Sequence, residues 1–71
     1  MFIKTQVVLH LYDSLLKGEV LTTNQIQSNY EISIPTVRRY ISEINAYFVN
    51  FQIPRIVKYS KKEEGYILKN I

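Results

Sequence analysis

The sequence contains no cysteine and a single histidine, so it has little with which to bind a metal. Without cysteine, neither a disulfide framework nor a thiolate metal site can form. Zinc sites draw several ligands from cysteine, histidine and acidic residues, and His10 has no second histidine with which to share a site. We therefore predict that the protein uses no metal and no other cofactor.

Glycine is scarce as well, and no glycine-rich phosphate loop is present. Acid–base catalysis needs titratable groups that converge in a cleft. His10 falls in a run that otherwise predicts core packing, and Glu63 and Glu64 are adjacent in a polar turn, where we expect them to be solvated. A chain of 71 residues also buries only about 60% of its unfolded surface. We predict no catalytic residues and a protein that is not an enzyme.

Long apolar runs are also missing. The segment Val7–Leu16 is interrupted by His10 and Asp13, and it is shorter than the roughly 20 residues of a membrane span. It also lacks the basic face of an interfacial membrane helix. We expect no membrane partner and no signal peptide. The abundance of Ile, Asn, Lys and Tyr favours a bacterial, phage or plasmid source, so we expect a cytoplasmic protein of a bacterium or of a phage or plasmid host.

Positive charge is present and concentrated in one segment. The net charge is +3, yet residues 33–62 hold six basic residues and one acidic residue, a net of +5. The segments on either side each carry a net charge of −1. A contiguous basic segment favours a polyanionic partner on one side of the molecule, although a solvated basic face is the simpler alternative.

The order of apolar residues predicts three helices, of which the first two are short. Three- and four-residue spacing predicts helix 1 at about residues 3–17, with Gly18 placed to end it in a left-handed cap. Val20 and Leu21 form a β-prone pair, and helix 2 follows at about residues 23–30. Helix 2 spans about two turns, so it must pack on its neighbours to be stable.

A third periodic run follows Ser33, whose hydroxyl is placed to accept a hydrogen bond from a free amide of the helix. Pro35 falls in the first turn, where its missing N–H costs nothing. The run predicts helix 3 at about residues 33–49. Its expected buried stripe consists of Val37, Ile41, Ile44 and Phe48.

The opposite face of helix 3 is expected to be small and flat, with Arg39 at its centre. The other residues of this face are Pro35, Ser42 and Ala46, with Thr36 and Arg38 on its two shoulders. Small side chains allow close approach, and an arginine can donate two hydrogen bonds to O6 and N7 of guanine or clamp a phosphate. The face therefore suggests a DNA-recognition helix, while two solvated surface arginines remain the alternative.

Two β-prone runs end the chain and predict a hairpin at about residues 55–70. The strands are "RIVKYS" and "GYILKN", and the polar turn between them is "KKEE". Lys58, Lys61 and Lys62 are placed to reach a phosphate backbone, or else to keep an exposed strand edge soluble.

This order of elements resembles the winged helix-turn-helix. The resemblance is carried by Leu15–Asn45 and by "GYIL" at Gly65–Leu68, and it extends to DeoR-type repressors, to regulators with phosphotransferase regulation domains and to Mga-type activators. Its most specific element is Ser33, then Thr36, a β-branched residue and two arginines. The implied fold is α+β, mainly α, a single domain of residues 1–71 with three helices and a C-terminal β-hairpin wing.

The resemblance implies sequence-specific binding of double-stranded DNA by a transcription regulator. Residues 33–46 would enter a major groove, and residues 58–62 would follow the adjacent backbone or minor groove. The start of helix 2 would present amides and side chains to a phosphate. Together with the outward face of helix 3 and the hairpin lysines, this gives the predicted DNA-binding residues Thr23, Asn24, Ser33, Ile34, Pro35, Thr36, Arg38, Arg39, Ser42, Lys58, Lys61 and Lys62.

Two positions depart from the family pattern. Glu31 stands where the turn between helices 2 and 3 often has glycine, so it must adopt a positive φ or the turn must differ. Tyr40 stands where DeoR-type sequences usually have aspartate, and it either packs on helix 2 or reaches a phosphate with its hydroxyl.

Other functions remain open at this point. A winged helix can bind a partner protein instead, and the tyrosines and Asn50–Pro54 would suit such an interface. A replication or excision factor of a phage or plasmid would use the same DNA-binding surface. Because one small module binds DNA weakly, we also expect a homodimer, tandem sites or a larger regulator.

Overall fold

The computed structural model describes residues 2–71 as three helices followed by a two-stranded antiparallel hairpin. The elements are α1 (Lys4–Leu16), α2 (Thr23–Tyr30), α3 (Ile34–Asn50), β1 (Arg55–Ser60) and β2 (Gly65–Asn70). The predicted α+β, mainly α fold is confirmed. Within residues 2–71, no helix has both the length and the apolar character needed to cross a membrane.

Helix α1 ends in a Schellman motif centred on Gly18. Gly18 has φ of 83°, and its N–H donates to the Leu15 carbonyl at 3.0 Å, while the Glu19 N–H donates to the Ser14 carbonyl at 3.2 Å. These two bonds satisfy carbonyls that the helix end would otherwise leave free. Glycine is favoured here because other residues rarely adopt that backbone conformation.

Helix α2 is closed at both ends by local hydrogen bonds. The Gln25 N–H donates to Thr22 Oγ1 at 3.1 Å and the Thr22 N–H donates to Gln25 Oε1 at 3.3 Å, a capping box that makes Thr22 the N-cap. At the other end Glu31 has φ of 55°, so the turn keeps left-handed geometry without a glycine. That conformation costs a non-glycine residue on the order of 1 kcal/mol.

The core lies between the three helices and β1. Its buried residues are Val7, Leu11, Leu15, Ile26, Val37, Ile41, Ile44, Phe48 and Val57. The four residues predicted as the inner stripe of α3 are all among them. Burial of each such side chain stabilises the fold by about 1.5–3 kcal/mol. Tyr40 is half-buried and packs against this cluster.

The hairpin is attached to the rest of the fold through the segment between α1 and α2. Leu21 and Tyr66 exchange two backbone hydrogen bonds, at 3.0 and 2.8 Å, so Leu21 extends the sheet by one residue beside β2. A Cβ atom at Gly65 would lie 2.8 Å from Val20 Cγ1 and 2.9 Å from the Leu21 carbonyl oxygen. Glycine at position 65 is therefore required by the close approach of these two backbones.

Candidate nucleic-acid interface

The outward face of α3 is exposed along its length. Ser33 caps the helix, since its Oγ accepts from the Thr36 N–H at 3.4 Å and lies 2.9 Å from Thr36 Oγ1. Ile34 is 41% exposed. The exposed residues that follow are Pro35, Arg38, Arg39, Ser42 and Ala46. Most of the predicted contact residues of α3 thus lie on the outward face or its shoulders, with only Thr36 partly buried. Ile34 is the exception, because it precedes Ile41 by seven residues and so projects on the side of the buried stripe.

Arg38 and Arg39 point to different sides of this face. Arg38 precedes Asn45 by seven residues, so the two side chains project in nearly the same direction, and Asn45 contacts β1. Arg38 therefore lies on the side of α3 that faces the hairpin. Arg39 is about 100° further round the helix and points away from the core.

Glu43, the one acidic residue of the basic segment 33–62, forms an ion pair with Lys4 of α1. Lys4 Nζ lies 2.9 Å from Glu43 Oε1, and the second ion pair of the described residues, Asp13 with Lys17 at 3.1 Å, lies within α1 and its C-cap. Glu43 follows Arg39 by four residues and would otherwise be its natural helical partner. Within residues 2–71, both arginines of α3 are thus left without an ion-pair partner.

Asn45 joins α3 to the hairpin. Its Nδ2 donates to the Val57 carbonyl at 3.0 Å, and its Oδ1 accepts from the Val57 N–H at 2.8 Å. The side-chain amide thereby pairs with β1 as a neighbouring strand would. Together with the Leu21–Tyr66 bridge, this contact holds the hairpin at a defined position relative to the outward face of α3.

One basic residue of the segment 33–62, Arg55, is engaged in a contact within the fold. Arg55 Nη1 donates to the Tyr12 hydroxyl at 3.2 Å in a partly buried contact, so this guanidinium ties the base of the hairpin to α1. The positive charge available on the exposed surface therefore comes from the two arginines of α3 and from the hairpin lysines.

The hairpin carries its predicted lysines on the exposed surface. Lys58 is exposed on β1 opposite Ile67, and Lys61 and Lys62 lie in the turn between the strands. The same turn contains Glu63 and Glu64, so its charge is mixed rather than purely basic. Positive charge on this hairpin is therefore weaker than its lysines alone suggest.

The start of α2 and the hairpin turn meet around an open groove of about 510 Å³. The groove is lined by Thr22, Thr23, Asn24, Tyr59, Lys61 and Glu64. The structure thus places three of the predicted contact residues around one depression. Helix N-termini favour anions, and Lys61 adds a positive charge beside this one, whereas the Glu64 carboxylate opposes an anion there.

Sequence reasoning missed two residues of this surface. Asn45 is a poor helix former next to the buried stripe, and that combination was a signal for a side-chain hydrogen bond. Tyr59 is 52% exposed at the groove and packs edge-on against Tyr66, with 5.5 Å between ring centroids. The predicted strand places Tyr59 in the hairpin, but its position beside α2 depends on the tertiary structure.

A separate cluster of side chains lies between α1 and α2, away from the residues described above. His10 Nδ1 forms a hydrogen bond with the Tyr30 hydroxyl, and Phe2 packs edge-on against the same tyrosine at 5.7 Å. Burial raises the pKa of Tyr30, and the charge of Glu19 raises it further. Across residues 2–71, no three His, Cys, Asp or Glu side chains are grouped so as to hold a metal ion. This cluster links α1 to α2.

Comparison with known proteins agrees with this geometry. Residues 1–65 match the family model of the Mga helix-turn-helix domain, which covers all three helices and β1. No curated protein and no solved structure matches the chain. The sequence resemblance to a winged helix-turn-helix of the Mga type is confirmed, while the likeness to DeoR-type repressors stays a prediction. The chain belongs to the Mga helix-turn-helix domain family, a family of DNA-binding regulatory domains.

Proposed function

We propose that this domain binds double-stranded DNA sequence-specifically as the DNA-binding part of a transcription regulator. Helix α3 enters the major groove, and the hairpin, acting as the wing, lies along the adjacent backbone or minor groove. Arg39 contacts base edges or a phosphate from the centre of the helix face, and Arg38 makes its contact on the side of the wing.

The observation that carries this proposal is the outward face of α3. Pro35, Ser42 and Ala46 are small and exposed, so the helix backbone can approach a groove floor closely. The two arginines, Arg39 at the centre of that face and Arg38 at its edge toward the hairpin, have no ion-pair partner among residues 2–71. A phosphate or guanine therefore meets no internal competitor.

The remaining predicted contacts take positioning roles in this arrangement. Ser33 and Thr36, at the start of α3, supply hydroxyls to a phosphate. At the start of α2, Thr23 supplies a hydroxyl and Asn24 a side-chain amide N–H. Lys58, Lys61 and Lys62 follow the backbone from the wing, with Glu63 and Glu64 limiting their contribution. Because Asn45 and Leu21 fix the wing, it can meet DNA without a large ordering cost.

The test is fluorescence anisotropy of a labelled random-sequence duplex titrated with the protein over a range of salt concentrations. Wild type should bind with an affinity that falls steeply as salt rises, because phosphate contacts release counterions. Arg38→Ala/Arg39→Ala should abolish most of that binding. In a preferred site selected afterwards, Arg39→Ala should cost about 1–3 kcal/mol of binding and relax the preference at one base pair.

Lys17→Ala is the matched control for Arg39→Ala, because it also removes one exposed positive charge while leaving the α3 face intact. It should change affinity much less than Arg39→Ala does. Equal losses in the two variants would mean that only net charge matters. Folded wild-type protein that fails to bind duplex DNA at low salt would overturn the proposal in favour of a protein partner.

A further inference from the structure

A second exposed surface lies along α1 and the C-terminal half of α3, away from the arginines. It is apolar, and its most exposed residues are Leu9 at 61%, Leu16 at 48%, Tyr47 at 43% and Phe51 at 68%. We call these four residues the α1–α3 surface. Nothing in the proposed DNA contact uses them.

The surface has a shallow groove at its centre. This groove holds about 290 Å³ and is lined by Val8, Leu9, Tyr12, Glu43, Ile44 and Tyr47. Tyr12, Tyr47 and Phe51 form a continuous row of rings, with centroids 6.1 Å apart for the first pair and 5.2 Å for the second. The row is held in place by Phe48 beneath it, since Phe48 is buried and packs against both tyrosines.

The apolar area of the surface is large for a chain of this size. Aromatic side chains present roughly 150–250 Å² each, so the exposed parts of Tyr47 and Phe51 amount to roughly 200 Å². With Leu9 and Leu16 the apolar area is on the order of 300–400 Å², the size at which a patch on a monomer is often functional. A stable interface of about 800 Å² per partner is a little over half apolar, so this surface would supply most of the apolar part.

The charges around the surface suit a second copy of the same chain. Glu43 lines the groove and is paired with Lys4, and Asp13 is paired with Lys17 on α1 and its C-cap. Each pair is neutral, so two copies can approach without like-charge repulsion. The basic residues that would repel one another lie on the outward face of α3 and on the wing.

We propose that the α1–α3 surface binds a second copy of this chain in a two-fold symmetric dimer. In a two-fold interface the same patch occurs on both partners, which a neutral and apolar surface allows. Tyr47 follows Arg39 by eight residues, which places it about 80° round the helix and about 12 Å further along it. The DNA-facing side of α3 therefore stays free in the dimer.

The dimer gives the domain two recognition helices related by symmetry. A two-fold protein binds two half-sites whose spacing follows the spacing of its recognition helices. Because the patch is at the small end for a stable complex, the dimer is weak in isolation and is reinforced when both halves occupy one DNA duplex. Self-association itself does not depend on the proposed DNA binding.

Sedimentation equilibrium of the purified chain over a concentration series, up to roughly 1 mM, tests the dimer directly. Wild type should show a reversible monomer–dimer equilibrium. Leu9→Glu/Phe51→Glu should raise the dissociation constant at least about tenfold, because each charge would be buried against the partner. Wild type that stays monomeric throughout, or a double variant that dimerises like wild type, overturns the proposal.

Val49→Glu is the matched control, because Val49 is 76% exposed on α3 but lies about 200° round the helix from Tyr47. It should dimerise like wild type. If Val49→Glu lost as much dimer affinity as Leu9→Glu/Phe51→Glu, the added charge alone would explain the loss and the proposed surface would be wrong. Circular dichroism establishes that each variant is folded. If the glutamate variant unfolds, Leu9→Ser/Phe51→Ser replaces it, with the same expected direction.

Random-sequence duplexes of two lengths separate this proposal from the proposed function. Duplexes of about one and about two helical turns accept one or two modules. Leu9→Glu/Phe51→Glu should keep wild-type affinity for the short duplex and lose cooperative binding to the long one. Arg38→Ala/Arg39→Ala should lose both but still dimerise without DNA, so a failure of DNA binding and a failure of dimerisation give different results.

Discussion

The two halves of α3 contrast sharply although they belong to one continuous helix. The N-terminal half, from Ile34 to Ser42, exposes small and basic residues on its outward side. The C-terminal half, from Glu43 to Asn50, is held by contacts on several sides: Asn45 bonds the wing, Phe48 fills the core and Glu43 pairs with α1. One half is anchored so that the other can be presented to a partner as a rigid surface.

The two halves differ in what their outer side chains contact, not in their tendency to form a helix. The buried stripe continues through both halves, from Val37 to Phe48. What changes is the outer side, where the first half keeps its arginines free and the second places Tyr47 against Tyr12 of α1. A substitution at one of the anchoring residues Glu43, Asn45 and Phe48 should therefore affect stability first. One on the outer side of the N-terminal half should affect binding first.

The largest effect should come from Phe48→Ala. Phe48 is 1% exposed, and replacing a buried phenylalanine with alanine costs about 3–5 kcal/mol. A chain of this length is stable by only about 4–10 kcal/mol, so the variant should be close to unfolding at room temperature. Urea denaturation followed by circular dichroism measures the loss.

The neighbouring residue supplies the control for that experiment. Val49→Ala replaces a side chain that is 76% exposed, and it should change the free energy of unfolding by less than about 0.5 kcal/mol. Similar losses at positions 48 and 49 would mean that the phase of α3 is misassigned and would break the comparison between its sides.

An intermediate effect is expected from Asn45→Ala. The substitution leaves the N–H and carbonyl of Val57 without their partner in a partly buried place, at a cost of about 1–3 kcal/mol. Thermal denaturation should show the loss, and hydrogen exchange of the Val57 amide should accelerate. DNA affinity should fall as well, since the wing loses its fixed position relative to Arg38.

Asn50→Ala at the exposed end of α3 is the matched control and should leave both measurements near their wild-type values. An Asn45→Ala protein as stable as wild type, with slow exchange at Val57, would show that the wing is held by apolar packing alone. The C-terminal half of α3 would then be less of an anchor than its hydrogen bonds indicate.

The smallest effect is a gain, from Glu31→Gly in the turn before α3. Glu31 has φ of 55°, and relief of left-handed strain, less the entropy cost of glycine, should stabilise the fold by about 0.5–1 kcal/mol. DNA binding should tighten slightly too, because an acidic residue near the α3 face is removed. Thermal denaturation and the salt-dependent anisotropy assay measure the two effects.

Gln52→Gly is the counterpart at the other end of the helix. Gln52 has φ of 54° and lies in a Schellman motif, in which the Ile53 N–H donates to the Phe48 carbonyl at 2.8 Å. It should show the same gain in stability with no change in DNA binding. A change in DNA binding at position 52, or none at position 31, would contradict the division of α3 into a binding half and an anchoring half.

Much of this fold follows from local patterns in the sequence. The inner stripe of α3, the cap at Ser33 and the left-handed turn at Gly18 depend on spacing and backbone preference, which are properties of neighbouring residues. The candidate site is harder to derive. The direction of the two arginines follows from helical geometry, but the groove between the start of α2 and the wing joins residues far apart in the chain.

The sequence by itself determined the number and order of the helices and strands, the buried side of α3 and the concentration of positive charge. These properties depend on periodicity, capping and composition, which act over a few residues. Only the tertiary structure decided that Asn45 pairs with Val57, that Lys4 takes Glu43 away from Arg39, and that Arg55 turns inward to Tyr12. Each of these is a contact between distant segments, and its existence depends on how the helices pack, which no local pattern encodes.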